Sequence, residues 1–233
     1  MKPIIGIVSK YVRSNNTREN ALIRDEVKNA IIENGGIAIG ILSPQVDIKF
    51  FSCKDKEHFD DLLSEEEKKD FITQINMCDG IVLQGGVNSM KYESWIAKYT
   101  YDHDIPTLGI CGGQNAMVRG VGGTIKRIDN VEKHNQKWVD EVHDVYINKN
   151  SKFYKIVKCE KMNVNSRHKK TIANPSEKYD LVGVCEDGYF DVIEAKNKRF
   201  NIGVRFHPES LYKKYETHNA IFKAFIDACK EER

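Results

Sequence analysis

The segment Ile105-Pro-Thr-Leu-Gly-Ile-Cys-Gly-Gly-Gln-Asn115 constrains this chain most, because an apolar strand pattern ends at a cysteine that two glycines follow. This arrangement is typical of a nucleophile elbow, a sharp strand-to-helix turn that presses its central side chain outwards into solvent. Gly109 and Gly112 leave room for the tight backbone, and the partial positive charge at the start of the next helix points at the sulfur. The alternative is a small core cysteine at a strand end. The flanking glycines favour Cys111 as an ionisable nucleophile.

A nucleophilic thiol needs a base, and the segment Val204-Arg-Phe-His-Pro-Glu-Ser210 offers one after another apolar strand pattern. Side chains two residues apart in an extended segment point to the same side, so His207 and Glu209 are predicted to address one site. His207 would be the general base, and Glu209 would orient its ring. A surface loop after a strand is the simpler alternative for this triplet considered alone. Its pairing with Cys111 favours the catalytic interpretation.

A third apolar run, Gly80-Ile-Val-Leu-Gln-Gly-Gly-Val87, also ends in two glycines. If this loop lies beside the elbow, a backbone N–H of Gly85 or Gly86 and that of Gly112 could together hold a developing oxyanion. An ordinary strand-to-loop turn explains the same residues equally well. The three strand ends are therefore predicted to converge on one pocket.

These three segments and Val-Asn-Ser-Arg-His at 164–168 resemble the class I glutamine amidotransferases, and within them the gamma-glutamyl-gamma-aminobutyrate hydrolase-like peptidases. The resemblance covers most of the chain and implies a flavodoxin-like fold. It implies a Cys-His-Glu triad that opens gamma-glutamyl amide bonds through a thioester. It also implies that Asn165, Ser166 and His168 line the pocket near the amino-acid end of the substrate. For His168, a solvent-facing histidine in a basic loop is the alternative.

Two departures from the family pattern concern the specificity elements. The family has Gly-Ile-Cys-x-Gly-x-Gln, with a glutamine that helps to seat the substrate, whereas this chain has Asn115 there and its glutamine at position 114. Asn115 is therefore expected to bind substrate with an altered acyl preference. Gly112 also replaces the arginine that commonly follows the cysteine in the hydrolase branch, and the stretch 87–104 is compact.

Three functions in different classes follow. The first is a cysteine hydrolase that cleaves a small gamma-glutamyl-amine or peptide and releases glutamate; the 165–168 segment and the lack of a synthetase pattern in these 233 residues favour it. The second is a glutaminase subunit that passes ammonia to a separate synthetase. The third is a non-catalytic protein that retains the elbow to capture a ligand.

Composition excludes several classes of partner. Lys and Arg number 36 against 34 Asp and Glu, a formal charge of +2, which gives no strong field for nucleic acid or an anionic membrane. No apolar run approaches the roughly 20 residues that span a bilayer. The cysteines are scattered without a Cys-x-x-Cys pair, and the histidines lack metal-binding spacing. We therefore expect a cytoplasmic protein without metal or cofactor. A homodimer is left open, as is a synthetase partner under the second function.

Alternating strand and helix patterns predict an α/β fold with a mostly parallel central sheet, helices on both faces and a smaller β-rich segment, forming a single domain over 1–233. The elbow would then lie at the carboxyl edge of the sheet, where open α/β sheets bind ligands. The predicted strands are 4–8, 37–42, 80–84, 106–110, 142–148, 153–158, 181–185, 190–195 and 201–206. The predicted helices are 18–33, 64–77, 88–103, 113–121 and one from 218, with a variable loop over 44–64.

Overall fold

The computed structural model describes residues 1–13, 19–49, 63–86 and 89–230. The strands are β1 (Ile4–Val8), β2 (Lys10–Arg13), β3 (Glu19–Leu22), β4 (Ile37–Ile41), β5 (Gly80–Leu83), β6 (Thr107–Ile110), β7 (Thr124–Arg127), β8 (His143–Ile147), β9 (Lys161–Val164), β10 (Lys170–Asn174), β11 (Tyr179–Cys185), β12 (Phe190–Ala195) and β13 (Asn201–Val204). The helices are α1 (Asp25–Glu33), α2 (Glu65–Asn76), α3 (Lys91–Asp102), α4 (Gly112–Gly120), α5 (Val131–His134), α6 (Lys152–Val157) and α7 (Glu216–Ala228), with a 3-10 helix at Pro208–Ser210. Among the described residues, none of the helices combines the length and the apolar character that crossing a membrane requires.

Nine of these strands form one sheet in the order β4-β1-β5-β6-β13-β12-β11-β8-β9. The first five are paired in parallel. The remaining four extend the sheet with antiparallel pairs. The parallel core of the predicted α/β fold is confirmed, and the β-rich segment is largely a continuation of the same sheet. Two small antiparallel sheets, β2-β3 and β7-β10, lie beside it.

Helices cover both faces of this sheet, as predicted. Successive side chains of a strand point to opposite faces. In β5, Val82 packs into the apolar cluster that includes residues of α1, α6 and α7. Ile81 and Leu83 pack into a second cluster, with residues of α2, α3 and α4. A strand buried on both faces has to be apolar at every position, which explains the uninterrupted apolar run at 81–83.

The predicted helix over 64–77 is confirmed as α2, and its start is fixed by a capping box. Ser64 Oγ accepts a hydrogen bond from the Glu67 amide at 3.2 Å, while Glu67 Oε2 accepts one from the Ser64 amide at 2.6 Å. These bonds satisfy two amides that have no partner within the helix. Most of the loop predicted over 44–64 lies outside the described residues.

The helix predicted over 18–33 is wrong in its first part. Residues 19–22 form β3, which pairs with β2 in an antiparallel hairpin, and the helix begins only at Asp25. Arg24 is held in an extended conformation, and its amide donates to Gln84 Oε1 at 2.9 Å. This long-range bond keeps Arg24 extended, so the helix starts only at Asp25.

The strand predicted over 153–158 is also wrong, since this segment contains α6. Ser151 Oγ accepts from the Tyr154 amide at 2.9 Å, as an N-terminal cap does. The Glu194 carboxylate accepts from the amides of Lys152 and Phe153 at 3.0 and 2.8 Å. Capping from a distant strand therefore overrides the strand preference of the aromatic and β-branched residues.

Candidate active site

Cys111 stands at the junction of β6 and α4 with φ +50° and ψ −98°. A non-glycine residue seldom adopts positive φ, and such strain is concentrated at functional sites. The turn is tight enough that a Cβ on Gly113 would lie 1.8 Å from the carbonyl oxygen of Leu83. The strand, the turn and the helix of the predicted elbow are thus all present, and α4 begins directly after the cysteine.

The side chain of Cys111 is more covered than an elbow predicts, with the residue 9% exposed. The covering groups are the Gly85 loop and the imidazole of His207. A Cβ on Gly85 would lie 3.4 Å from the Cβ of Cys111 and 2.8 Å from Cε1 of His207. Gly85 therefore packs against both side chains, and any larger residue would separate them or push them aside.

His207 and Glu209 are in direct contact, with His207 Nδ1 2.7 Å from Glu209 Oε1. The extended backbone predicted for this segment is wrong, because a 3-10 helix begins at Pro208 and folds the chain back. That turn brings the carboxylate to the ring. With Nδ1 occupied by Glu209, Nε2 is the ring nitrogen left for the hydrogen bond between His207 and Cys111.

Cys111 and His207 shift each other's pKa. Burial raises the pKa of Cys111, but the charge of His207 and its hydrogen bond to the thiol, with help from Arg205, bring it below the ordinary value. Burial lowers the pKa of His207, but Glu209 and Cys111 outweigh burial and raise it to about 10. A thiolate beside an imidazolium is the arrangement that activates cysteine nucleophiles.

The glycine loop lies against the first turn of α4. A Cβ on Gly112 would lie 3.1 Å from the oxygen of Gly86 and 3.4 Å from its nitrogen. Gly112 is the first residue of α4, so its amide has no acceptor within the helix. Of the two loop glycines suggested by the sequence, Gly86 has the amide that lies beside Gly112, whereas Gly85 faces His207.

The loop is fixed by the side chain of Gln84. Its Nε2 donates to the carbonyls of Val8 and Leu22 at 2.8 and 3.0 Å, and its Oε1 accepts from the amide of Arg24. Arg24 Nε in turn donates to the carbonyl of Gly85 at 3.3 Å. The loop is therefore tied to β1 and to the β2-β3 hairpin.

The 165–168 segment lies beside His207. Asn165 Nδ2 donates to the carbonyl of His207 at 2.9 Å, and its Oδ1 accepts from the amide of His207 at 2.7 Å. Ser166 Oγ donates to the carbonyl of His134 at 2.8 Å. His168 is 4% exposed, so the solvent-facing alternative is wrong, and burial lowers its pKa to about 3.

Asn115, near the start of α4, contacts Arg205, a residue that the sequence motifs did not indicate. Arg205 Nη1 donates to Asn115 Oδ1 at 2.7 Å and to the carbonyl of Cys111 at 3.3 Å. The signal for Arg205 was its place two residues before His207 in a segment that continues a strand, which puts both on one face. A buried guanidinium thus lies beneath the elbow.

A family model described as Peptidase C26 matches residues 89–209. CTP synthase from Chlamydia trachomatis is 29% identical over 196 residues, covering 70% of this chain and 36% of the relative. Glutamine-hydrolyzing GMP synthase from Streptococcus mutans is 30% identical over 175 residues, covering 74% and 32%. The glutamine-hydrolyzing GMP synthase subunit from Picrophilus torridus is 29% identical over 156 residues, covering 65% and 77%. The chain spans about a third of the length of the two synthases.

Solved structures share the fold at low sequence identity. The glutaminase domain of a Trypanosoma brucei CTPS with bound acivicin has a TM-score of 0.66 at 17% identity, with 99% of this chain and 95% of that chain covered. A glutamine amidotransferase from Thermotoga maritima has a TM-score of 0.63 at 13% identity, covering 99% and 100%. Because the family model covers more than half of the sequence, the chain belongs to the Peptidase C26 family of cysteine hydrolases and amidotransferases, and it has the class I glutamine amidotransferase fold.

Proposed function

We propose that the protein hydrolyses the gamma-glutamyl amide bond of a small gamma-glutamyl-amine or peptide, with Cys111 as nucleophile, His207 as acid and base, and Glu209 as the group that orients His207. The observation that carries this proposal is the contact between Cys111, His207 and Glu209 at the elbow. The packing of Gly86 against Gly112 supports it, since the amides of these two glycines are the proposed donors to the oxyanion.

In the first half-reaction, the Cys111 thiolate attacks the side-chain carbonyl carbon and forms a C–S bond. The carbonyl oxygen becomes an oxyanion, which accepts hydrogen bonds from the Gly86 and Gly112 amides. The imidazolium of His207 gives its proton to the amide nitrogen. The C–N bond then breaks, the neutral amine leaves, and a glutamyl thioester remains on Cys111.

In the second half-reaction, water replaces the amine. The neutral imidazole of His207 takes a proton from water, and the resulting hydroxide equivalent attacks the thioester carbonyl. The C–S bond breaks, which restores the Cys111 thiolate and releases the product with a new carboxyl group. That carboxyl group loses the second proton of the water to solvent, which gives glutamate. The first proton remains on His207, so the thiolate–imidazolium pair is restored for the next cycle.

The residues proposed to face the substrate have unequal roles. Ser166 and His168 are proposed to line the pocket because the family resemblance implies it and because they follow Asn165, which contacts His207. Asn165 uses both ends of its amide on the His207 backbone, so its contribution is chiefly to place that ring. Asn115 has its oxygen engaged by Arg205, which leaves its amide nitrogen as the donor for the gamma-glutamyl group.

A second candidate is a glutaminase that supplies ammonia to a separate synthetase. The names of the relatives favour it, since CTP synthase and glutamine-hydrolyzing GMP synthase are synthases and one relative is a single subunit of such a synthase. The chemistry at Cys111 would be the same, with glutamine as substrate and ammonia as the leaving group. A non-catalytic binding role is disfavoured because the pKa of the Cys111 thiol is lowered, whereas mere ligand capture requires no ionised thiol.

Release of glutamate from glutamine, gamma-glutamyl alkylamides and gamma-glutamyl dipeptides separates these functions. The proposal predicts faster release from at least one substituted amide than from glutamine, and no release by Cys111→Ala. Cys159→Ala, which removes a thiol distant in sequence and only half-buried, is the control and should keep the wild-type rate. A preference for glutamine that grows when a synthetase is added would support the second candidate instead.

A further inference from the structure

A buried ion pair lies next to the glycine loop. Lys10, the first residue of β2, pairs its ammonium with the carboxylate of Glu93 in the first turn of α3. The two side chains are 2% and 1% exposed. Lysine and glutamate are almost never buried so completely unless they are paired, and burying both carries a large desolvation cost. Such a pair calls for a physical explanation.

The lysine stem packs directly on Gly86. A Cβ on Gly86 would lie 3.2 Å from Cδ and Cε of Lys10, and a Cβ on Gly112 would lie 3.5 Å from its Nζ. The ammonium therefore lies beside the two glycines whose amides are proposed to hold the oxyanion. No feature of the sequence alone places Lys10 there, except that it follows the carboxyl end of β1.

Hydrogen bonds fix Glu93 and the residues next to both partners of the ion pair. Glu93 Oε2 accepts a hydrogen bond from the Met90 amide at 3.0 Å, and the neighbouring Tyr92 hydroxyl donates to the carbonyl of Ser9 at 2.6 Å. Burial raises the pKa of Glu93, and the charge of Lys10 is the largest influence that lowers it. Lys10 is therefore the main group that opposes the effect of burial on Glu93.

We infer that the Lys10–Glu93 pair is a positioning element of the oxyanion pocket. The stem of Lys10 holds Gly86 against Gly112, and its ammonium sets a fixed positive charge beside the amides that meet the developing negative charge. Preorganised charge of this kind lowers a barrier because nothing has to reorganise during the reaction. This inference rests on the proposed acyl-transfer function.

Two reagents that carry no gamma-glutamyl group separate this role from simple packing. Acylation of Cys111 by p-nitrophenyl acetate passes through an oxyanion: a C–S bond forms, the ester C–O bond breaks and p-nitrophenolate leaves. Alkylation by iodoacetamide forms a C–S bond and releases iodide without an oxyanion. The ratio of the two rates therefore reports the oxyanion pocket even if the protein hydrolyses no gamma-glutamyl amide.

The test variant is Lys10→Met/Glu93→Gln, which removes both charges and so leaves no unpaired buried ion. The matched control is Lys98→Met/Asp102→Asn, an exposed ion pair on the same helix α3. Rates measured with Cys111→Ala are subtracted as background from other nucleophiles. If the test variant loses its folded circular dichroism spectrum, Lys10→Gln/Glu93→Gln takes its place.

We expect acylation by the test variant to slow by about 10-fold or more, below the 100- to 1,000-fold loss typical of a missing oxyanion donor. Alkylation should stay within about 2-fold of wild type, since the thiolate is untouched, and the control should change neither rate. An unchanged acylation rate would overturn the inference. So would an equal loss in both rates, because that result indicates a merely structural role.

Discussion

At the scale of single residues, charge is concentrated around one sulfur. His207 and Arg205 both lower the pKa of Cys111. His207 interacts with the thiol itself, whereas Arg205 donates a hydrogen bond to the backbone carbonyl of Cys111. The motifs pointed to Cys111, His207 and Glu209, the residues proposed as nucleophile, base and orienting group, because all three follow apolar strand patterns. Arg205 had only the weaker signal of its place two residues before His207, and Lys10 had none that predicts its contact with Gly86, because that contact joins segments distant in sequence.

The first prediction concerns the pH at which Cys111 ionises. A lowered pKa means that the alkylation rate with iodoacetamide reaches half of its maximum below the ordinary thiol value of 9.0. Arg205→Met removes a cation that favours the thiolate, so its midpoint should lie at higher pH than in wild type. Arg127→Met, which removes an exposed arginine, is the control. An unchanged midpoint in Arg205→Met would show that Arg205 does not influence the thiol.

The second prediction separates placement of the base from substrate binding. Asn165→Ala removes both hydrogen bonds to the His207 backbone, and a misplaced catalytic group can cost about 100-fold in rate. We expect kcat to fall roughly 10- to 100-fold with KM little changed. Asn163→Ala, two residues earlier and exposed, should behave as wild type. A raised KM with an unchanged kcat would instead assign Asn165 to substrate binding.

At the scale of elements, the site depends on how tightly α4 approaches β5. The sequence predicted the strands of the parallel core, the elbow helix and the capping box of α2, because each has a local signal in apolar runs, glycines or cap residues. It failed for β3 and α6. There the deciding bonds come from Gln84 and Glu194, which lie far away in the sequence.

The third prediction tests the close approach at the elbow. Gly113→Ala would place a Cβ 1.8 Å from the carbonyl oxygen of Leu83, so α4 must shift away from the glycine loop. We expect a loss of at least about 3 kcal/mol in the free energy of unfolding and loss of activity. Gly188→Ala tests backbone strain alone, because its φ is +77° and no atom lies near. Gly188→Ala should lower the free energy of unfolding by about 1 kcal/mol and leave activity unchanged. Equal behaviour of the two variants would contradict this account.

The fourth prediction concerns a helix away from the site. Ser64→Ala removes the side-chain cap of α2, so the free energy of unfolding should fall by about 1 kcal/mol in a urea titration. Hydrolysis at saturating substrate should remain at the wild-type rate, because α2 contributes no residue to the site. A loss of activity without a loss of stability would show an unrecognised link between α2 and Cys111.

At the scale of the whole molecule, one sheet joins two kinds of strand pairing at the site. The parallel strands supply Cys111 and the glycine loop, and the antiparallel extension supplies the segment that holds His207 through Asn165. His207 follows β13, the strand at which the two parts meet. The sequence predicted a smaller β-rich segment besides the parallel core. It could not show that the β-rich part continues the sheet, because strand order depends on long-range pairing.

The central claim is that Cys111 carries a glutamyl thioester during turnover. The most direct test is rapid acid quenching during hydrolysis of a gamma-glutamyl alkylamide, followed by mass spectrometry of the intact protein and its peptides. We predict a mass increase of one glutamyl group on the peptide that contains Cys111, and none in Cys111→Ala. Continued glutamate release without any such adduct, at a rate that Cys111→Ala leaves unchanged, would contradict the account.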